Sequence, residues 1–191
     1  GLGDMAVTNK QWEVAAKCYQ YVVSAGAGSP WYSAARIGLV TAMDARVRDQ
    51  ADPPKDQLDA LQKAYESTLD ELGRTAANIK LISGLAQLEA YYLNDADGAE
   101  ALLQQAIAMP GLDPQTQAQL KLDLGDIQVL QGDIWDASLL YSQVSLDFKQ
   151  DVLGSDARLR NAKVSFYSGD FLWAKAQLDI LKAGTSKLIA N

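Results

Sequence analysis

The feature that most constrains this chain is a phrase that returns at nearly constant spacing. Residues 124–144 read LGDIQVLQGDIWDASLLYSQV. Apolar residues Leu120, Leu124, Ile127 and Leu130 fall at helical spacing on one side of Gly132-Asp133. Ala137, Leu140, Tyr141 and Val144 do so on the other. Glycine accepts the left-handed backbone that ends a helix, and aspartate suits the cap of the next. The stretch therefore predicts a helix, a tight turn and a second helix packed antiparallel to the first.

The same phrase recurs as AKVSFYSGDFLWAKAQLDIL at 162–181, with Gly169-Asp170 at the turn and Ala174, Leu178 and Leu181 on the second face. It recurs as NDADGAEALLQQAI at 94–107, with Ala99, Leu103 and Ala106, and near the start with Ala15, Tyr19 and Val22. Ala99, Ala137 and Ala174 are 38 and 37 residues apart. Self-similarity at such a period points to stacked helix pairs, because one pair cannot bury both of its apolar faces alone. Small residues let paired helices approach, and the aromatic or leucine four positions on fills the gap to the next pair.

These residues resemble the tetratricopeptide repeat (TPR) family, whose pattern places Leu-Gly in the first helix, Gly-Asp at the turn, and Ala, an aromatic and Ala in the second. Leu124-Gly125, Gly132-Asp133-Ile134, Ala137, Tyr141 and Val144 match it best. Leu2-Gly3 with Trp12, Ala15 and Tyr19 is a second match, and Ala162, Gly169-Asp170-Phe171, Ala174 a third. The resemblance implies an all-α, right-handed α-solenoid of about five antiparallel helix pairs. As one repeat domain over 1–191, its units span about 2–30, 31–73, 78–110, 118–150 and 155–183. An insertion at Asp52-Pro53-Pro54 lengthens the second unit, and a further helix is expected to start within 185–191 after a Thr185-Ser186 cap. Both ends read as cuts through a longer repeat array, which predicts exposed apolar ends able to self-associate.

The resemblance also implies a function. TPR arrays bind peptides or helices in a groove lined by first helices. Carried across, the groove positions are Tyr32, Leu39, Met43, Leu88, Tyr92, Asp126, Val129, Arg160, Lys163 and Tyr167, giving an apolar and aromatic groove with a basic edge. The family's carboxylate clamp is not matched, since Leu122 and Asp126 stand where it uses Lys and Asn. The expectation is a protein-interaction scaffold with a protein or peptide partner and no cofactor. A structural segment of a larger protein is the alternative, and an all-helical carboxylate hydrolase a remote third. The KAGTSKLIAN ending resembles bacterial TPR proteins, leaving cytoplasm and cell envelope both open.

Composition narrows the function classes. The net charge is −7, which argues against nucleic acid, since phosphate binding needs clustered Lys and Arg. The charge is uneven: residues 155–191 carry six cations against three acids. With no histidine and one cysteine, Cys18, the chain lacks Ser-His and Cys-His pairs, most zinc sites and any internal disulfide. No apolar run reaches the ~18 residues of a membrane span. Asp95 and Asp97 suggest a calcium loop, but DADGAE lacks the ligand series. Trp12, Trp31, Trp135 and Trp173 suggest a sugar platform. Trp12, Trp135 and Trp173 are instead expected to pack at the turns into second helices.

Overall fold

The computed structural model describes residues 1–189, with side chains through residue 183. Ten α-helices and a short 3₁₀ turn are present among the described residues, and no strand. They are α1 (Leu2–Thr8), α2 (Trp12–Ser24), α3 (Tyr32–Arg48), α4 (Lys55–Leu72), α5 (Ile79–Tyr92), α6 (Ala96–Ile107), α7 (Pro114–Gln131), α8 (Ile134–Asp147), α9 (Val152–Tyr167) and α10 (Phe171–Ile189). The chain forms two compact units, Gly1–Asp95 and Ala96–Asn191. The division falls between α5 and α6, inside the third expected repeat.

Within the first unit, α1 to α4 each pack on the helix that follows, up to α5. Val40, Val47, Leu61, Leu69, Ile82 and Leu85 form its interior. Within the second unit the same nearest-neighbour packing runs from α6 to α10, and α7 also touches α9. Leu122, Ala137, Tyr141, Val144 and Ala157 make up its central cluster.

The turns follow from the sequence. Gly132 takes φ 92° and closes α7, while the Asp133 amide donates to the Gln128 carbonyl at 2.8 Å. Gly169 at φ 88° does the same for α9, with the Asp170 amide on the Ser165 carbonyl at 2.9 Å. Only glycine enters this backbone region without steric cost. The turn between α1 and α2 has the same bonding, Gln11 to Ala6 at 2.8 Å, but Lys10 occupies the left-handed position at φ 55°.

Four expectations are corrected here. Asp133 holds the cap position of α8 without a side-chain capping bond, whereas the Asp170 carboxylate accepts from the Trp173 amide at 3.2 Å. No new helix starts at Thr185, because α10 runs unbroken from Phe171 to Ile189; residues 190–191 lie outside the described residues. Trp135 is 87% exposed, and Trp173 is also exposed, rather than packed at its turn. Leu178 likewise is exposed rather than filling a gap between helices.

Candidate functional site

A repeated arrangement places one tyrosine on each of the second helices α2, α4 and α8 beside an aspartate of a first helix. Tyr19 on α2 donates to Asp4 Oδ1 at 2.6 Å, and Tyr141 on α8 donates to Asp126 Oδ1 at 2.7 Å. Tyr65 on α4 lies beside Asp44 on α3, and burial together with that carboxylate raises its hydroxyl. Each ring lies against a first-helix glycine. A Cβ on Gly3 or Gly38 would meet the Tyr19 ring at 2.8 or 2.7 Å, and one on Gly125 the Tyr141 ring at 2.5 Å. Glycine is therefore required to let the helix pair close. The hydroxyl, which would otherwise be buried without a partner, reaches a carboxylate on the far side.

In the second unit this latch opens onto a surface. Gln119, Asp123, Asp126 and Leu130 recur along one stripe of α7, and Asp156, Arg160, Lys163 and Tyr167 along one stripe of α9. Arg160 joins the stripes: it pairs with the Asp126 carboxylate across the helices and with Asp156 Oδ2 at 2.8 Å along its own. Gln119 donates to Asp123 at 3.0 Å. Burial raises the Asp126 carboxyl above the ordinary value, outweighing the lowering by the Tyr141 hydroxyl and Arg160. Two carboxylates thus hold one guanidinium, Asp123 adds its charge beside Asp126, and the apolar Leu130 and Tyr167 are exposed at the ends.

The first unit carries a shorter version. Arg48 pairs with Asp44 at 2.6 Å on α3, and the Asp44 carboxylate lies near the Tyr65 hydroxyl. Tyr92, on α5, adds to the electrostatic environment of Arg48.

The sequence-predicted positions divide accordingly. Asp126, Arg160, Lys163 and Tyr167 share the α7–α9 surface, and Tyr92 neighbours the Asp44–Arg48 pair. Tyr32, Leu39 and Met43 do not share such a first-helix surface. The Tyr32 hydroxyl donates to Glu71 of α4 at 3.2 Å. Leu39 and Met43 line a hollow with Gln20 and Val23 of α2 and Ala60 and Lys63 of α4. The cause is register: Gly38 faces Tyr19, which turns this stripe toward the second helices. Leu88 is 1% exposed and belongs to the interior, and Val129 packs on the central cluster of the second unit. The surface on α7 and α9 is acidic around a paired arginine, not apolar with a free basic edge. Asp123 and Asp156 were missed. The signal was present as the i, i+4, i+7 spacing of polar residues on both helices, which an apolar reading of a groove passes over.

Glu89 is buried on α5, and burial, with Asp95 and Glu66 nearby, raises its carboxyl. Among the described residues no group of three His, Cys, Asp or Glu could hold a metal ion, and no helix is long and apolar enough to cross a membrane.

No protein-family model and no curated protein matches the chain. Solved structures do. One, of nearly identical TPR-like repeats in a chain named as a Podosopora anserina putative kinesin light chain, is 17% identical. It matches with a TM-score of 0.77 over 98% of this chain and 93% of that one. A point variant of that same protein is also 17% identical, with a TM-score of 0.78 over 100% and 94%. At this identity the likeness speaks to fold and not to partner. The chain has the TPR-like α-solenoid fold.

Proposed function

We propose that this chain is a non-catalytic interaction scaffold that binds a peptide or protein segment on first-helix surfaces, chiefly the one formed by α7 and α9. The observation that carries this reading is the Asp126–Arg160–Asp156 cluster. Its polar groups are held in place by one another and by Tyr141, beside exposed Leu130 and Tyr167. Preorganised polar groups beside exposed apolar side chains favour a segment that adds both hydrogen bonds and apolar contact. With Asp123, Asp126 and Asp156 against Arg160 and Lys163, the surface suits a segment carrying a basic residue next to an apolar one.

The test is affinity capture from the source cell with wild type and with Tyr167→Glu and Tyr92→Glu variants, followed by binding of a synthetic peptide from the captured partner. Loss of one defined partner in Tyr167→Glu supports the reading. The same partners with all three proteins would sink it.

A second reading rests on α10, where Phe171, Leu172, Leu178 and Ile180 are exposed. These favour packing of this helix against another copy or another chain. Sedimentation across a range of protein concentrations separates a self-associating chain from a monomer.

A further inference from the structure

We propose that the cleft between α8, α9 and α10 in the second unit binds a neutral sugar ring. It lies apart from the α7–α9 surface and encloses about 650 Å³, within the range of small-molecule sites, ~300–1,000 Å³. Two tryptophans line it, Trp135 from the first turn of α8 and Trp173 from the first turn of α10. Both were expected to pack at their turns, and both are exposed instead. An indole held open to solvent offers a flat apolar face, the surface against which the C–H face of a pyranose stacks.

The polar groups of the cleft choose among ligands. Asn161, 2% exposed on α9, organises the hydroxyls: it accepts from Ser138 at 2.7 Å and donates to Ser142 at 2.9 Å. Ser138 thus shows its oxygen as an acceptor, while Ser142 keeps its own proton to donate. Ser168, whose proton goes to the Ser165 carbonyl at 3.0 Å, adds a second acceptor. Asp170 lines the same cleft, and among the described residues no lysine or arginine does. A carboxylate with no cation disfavours an anion. A quaternary ammonium would suit the indoles and Asp170 but would leave the hydroxyls unused. A ligand with an apolar face and hydroxyls that both donate and accept uses every group present, and a neutral sugar has that chemistry.

Isothermal titration calorimetry of the full chain with cellotriose, maltotriose, chitotriose and choline tests this. At least one trisaccharide is expected to bind saturably. Trp135→Ala and Trp173→Ala should each weaken it tenfold or more, while Trp31→Ala in the first unit leaves it unchanged. Trp135 is too exposed for its removal to disturb the interior, and circular dichroism of each variant verifies this. No binding by any of the three trisaccharides overturns the proposal. So does binding that survives both cleft variants, or binding of choline in place of sugar.

Discussion

The Tyr141 hydroxyl donates to Asp126 at 2.7 Å while the Tyr141 ring fills the space that a side chain on the neighbouring Gly125 would need. One residue thus closes the α7–α8 pair twice, by shape and by hydrogen bond. The two contributions separate by mutation. Tyr141→Phe keeps the ring and loses the bond, at a cost of about 1 kcal/mol. Gly125→Ala gains helix propensity but places a methyl 2.5 Å from a ring that is 1% exposed and cannot swing aside. Overpacking of this kind costs ~1–3 kcal/mol, enough to exceed the ~1 kcal/mol propensity gain. Urea unfolding followed by circular dichroism should rank Gly125→Ala below wild type; an equal or higher midpoint would refute the close approach.

The tyrosine latches also predict a loss of stability in alkali. Burial, then the Asp4 carboxylate, pushes the Tyr19 hydroxyl up to about 12, and Tyr65 is raised by burial and by Asp44. Both folded values exceed the ordinary value of about 10. Above that value the unfolded chain releases these protons while the folded chain keeps them, so the native state binds more protons and stability falls as pH rises. The contribution is whole below pH ~10 and fades as pH climbs through about 12 for Tyr19. The urea midpoint should therefore drop over this window, and drop less steeply in Tyr19→Phe. A Tyr19→Phe profile parallel to wild type would contradict the assignment.

How far these features were legible depends on which periodicity carried them. The helix pairs were readable because Gly132-Asp133 and Gly169-Asp170 interrupt an apolar helical pattern, and Ala137, Ala162 and Ala174 mark where helices touch. The latches were half readable. Tyr19 and Tyr141 appeared as packing residues, but nothing in the spacing paired them with Asp4 and Asp126, the second of which read only as a groove position. The surface positions fared worse. A partial rotation of α3 about its axis moves Leu39 and Met43 from a first-helix surface to the second-helix side, and the Gly38–Tyr19 approach and the burial of Val40 and Val47 set that rotation. The exposure of Trp135 and Trp173 was not legible at all. A tryptophan at a turn looks the same in sequence whether the next helix covers it or leaves a cleft.

Lys10 offers a test of the turn chemistry. It holds φ 55° in the same hydrogen-bonded turn that Gly132 and Gly169 form elsewhere. A side chain in this region costs ~1–2 kcal/mol, of which glycine recovers most after its own entropy loss. Lys10→Gly should raise stability by ~0.5–1 kcal/mol, and Gly132→Ala should lower it by a similar or larger amount. Opposite signs in the two urea midpoints are the result to look for; a destabilised Lys10→Gly would mean that the lysine side chain contributes something its backbone conformation does not reveal.

Gly154 sets a tighter constraint than Gly125, and its consequence differs in kind. It is buried in the first turn of α9, and a Cβ there would lie 1.9 Å from the Phe148 carbonyl oxygen and 2.6 Å from its carbon. These are backbone atoms at the end of α8, so no rotamer change relieves the contact. The α8–α9 connection must move instead, and with it Phe148 and Leu153, which pack on the central cluster. Gly154→Ala should cost ~3 kcal/mol or more, exceeding Gly125→Ala although the added methyl is the same. Because Asp156 and Arg160 lie further along α9, the displacement should also disturb the Asp126–Arg160 pair. In a variant folded enough to assay, partner capture should weaken together with stability. Gly125→Ala, which loads a side chain rather than the backbone, should leave capture closer to wild type. A Gly154→Ala protein with wild-type stability would show that α9 does not approach α8 this closely.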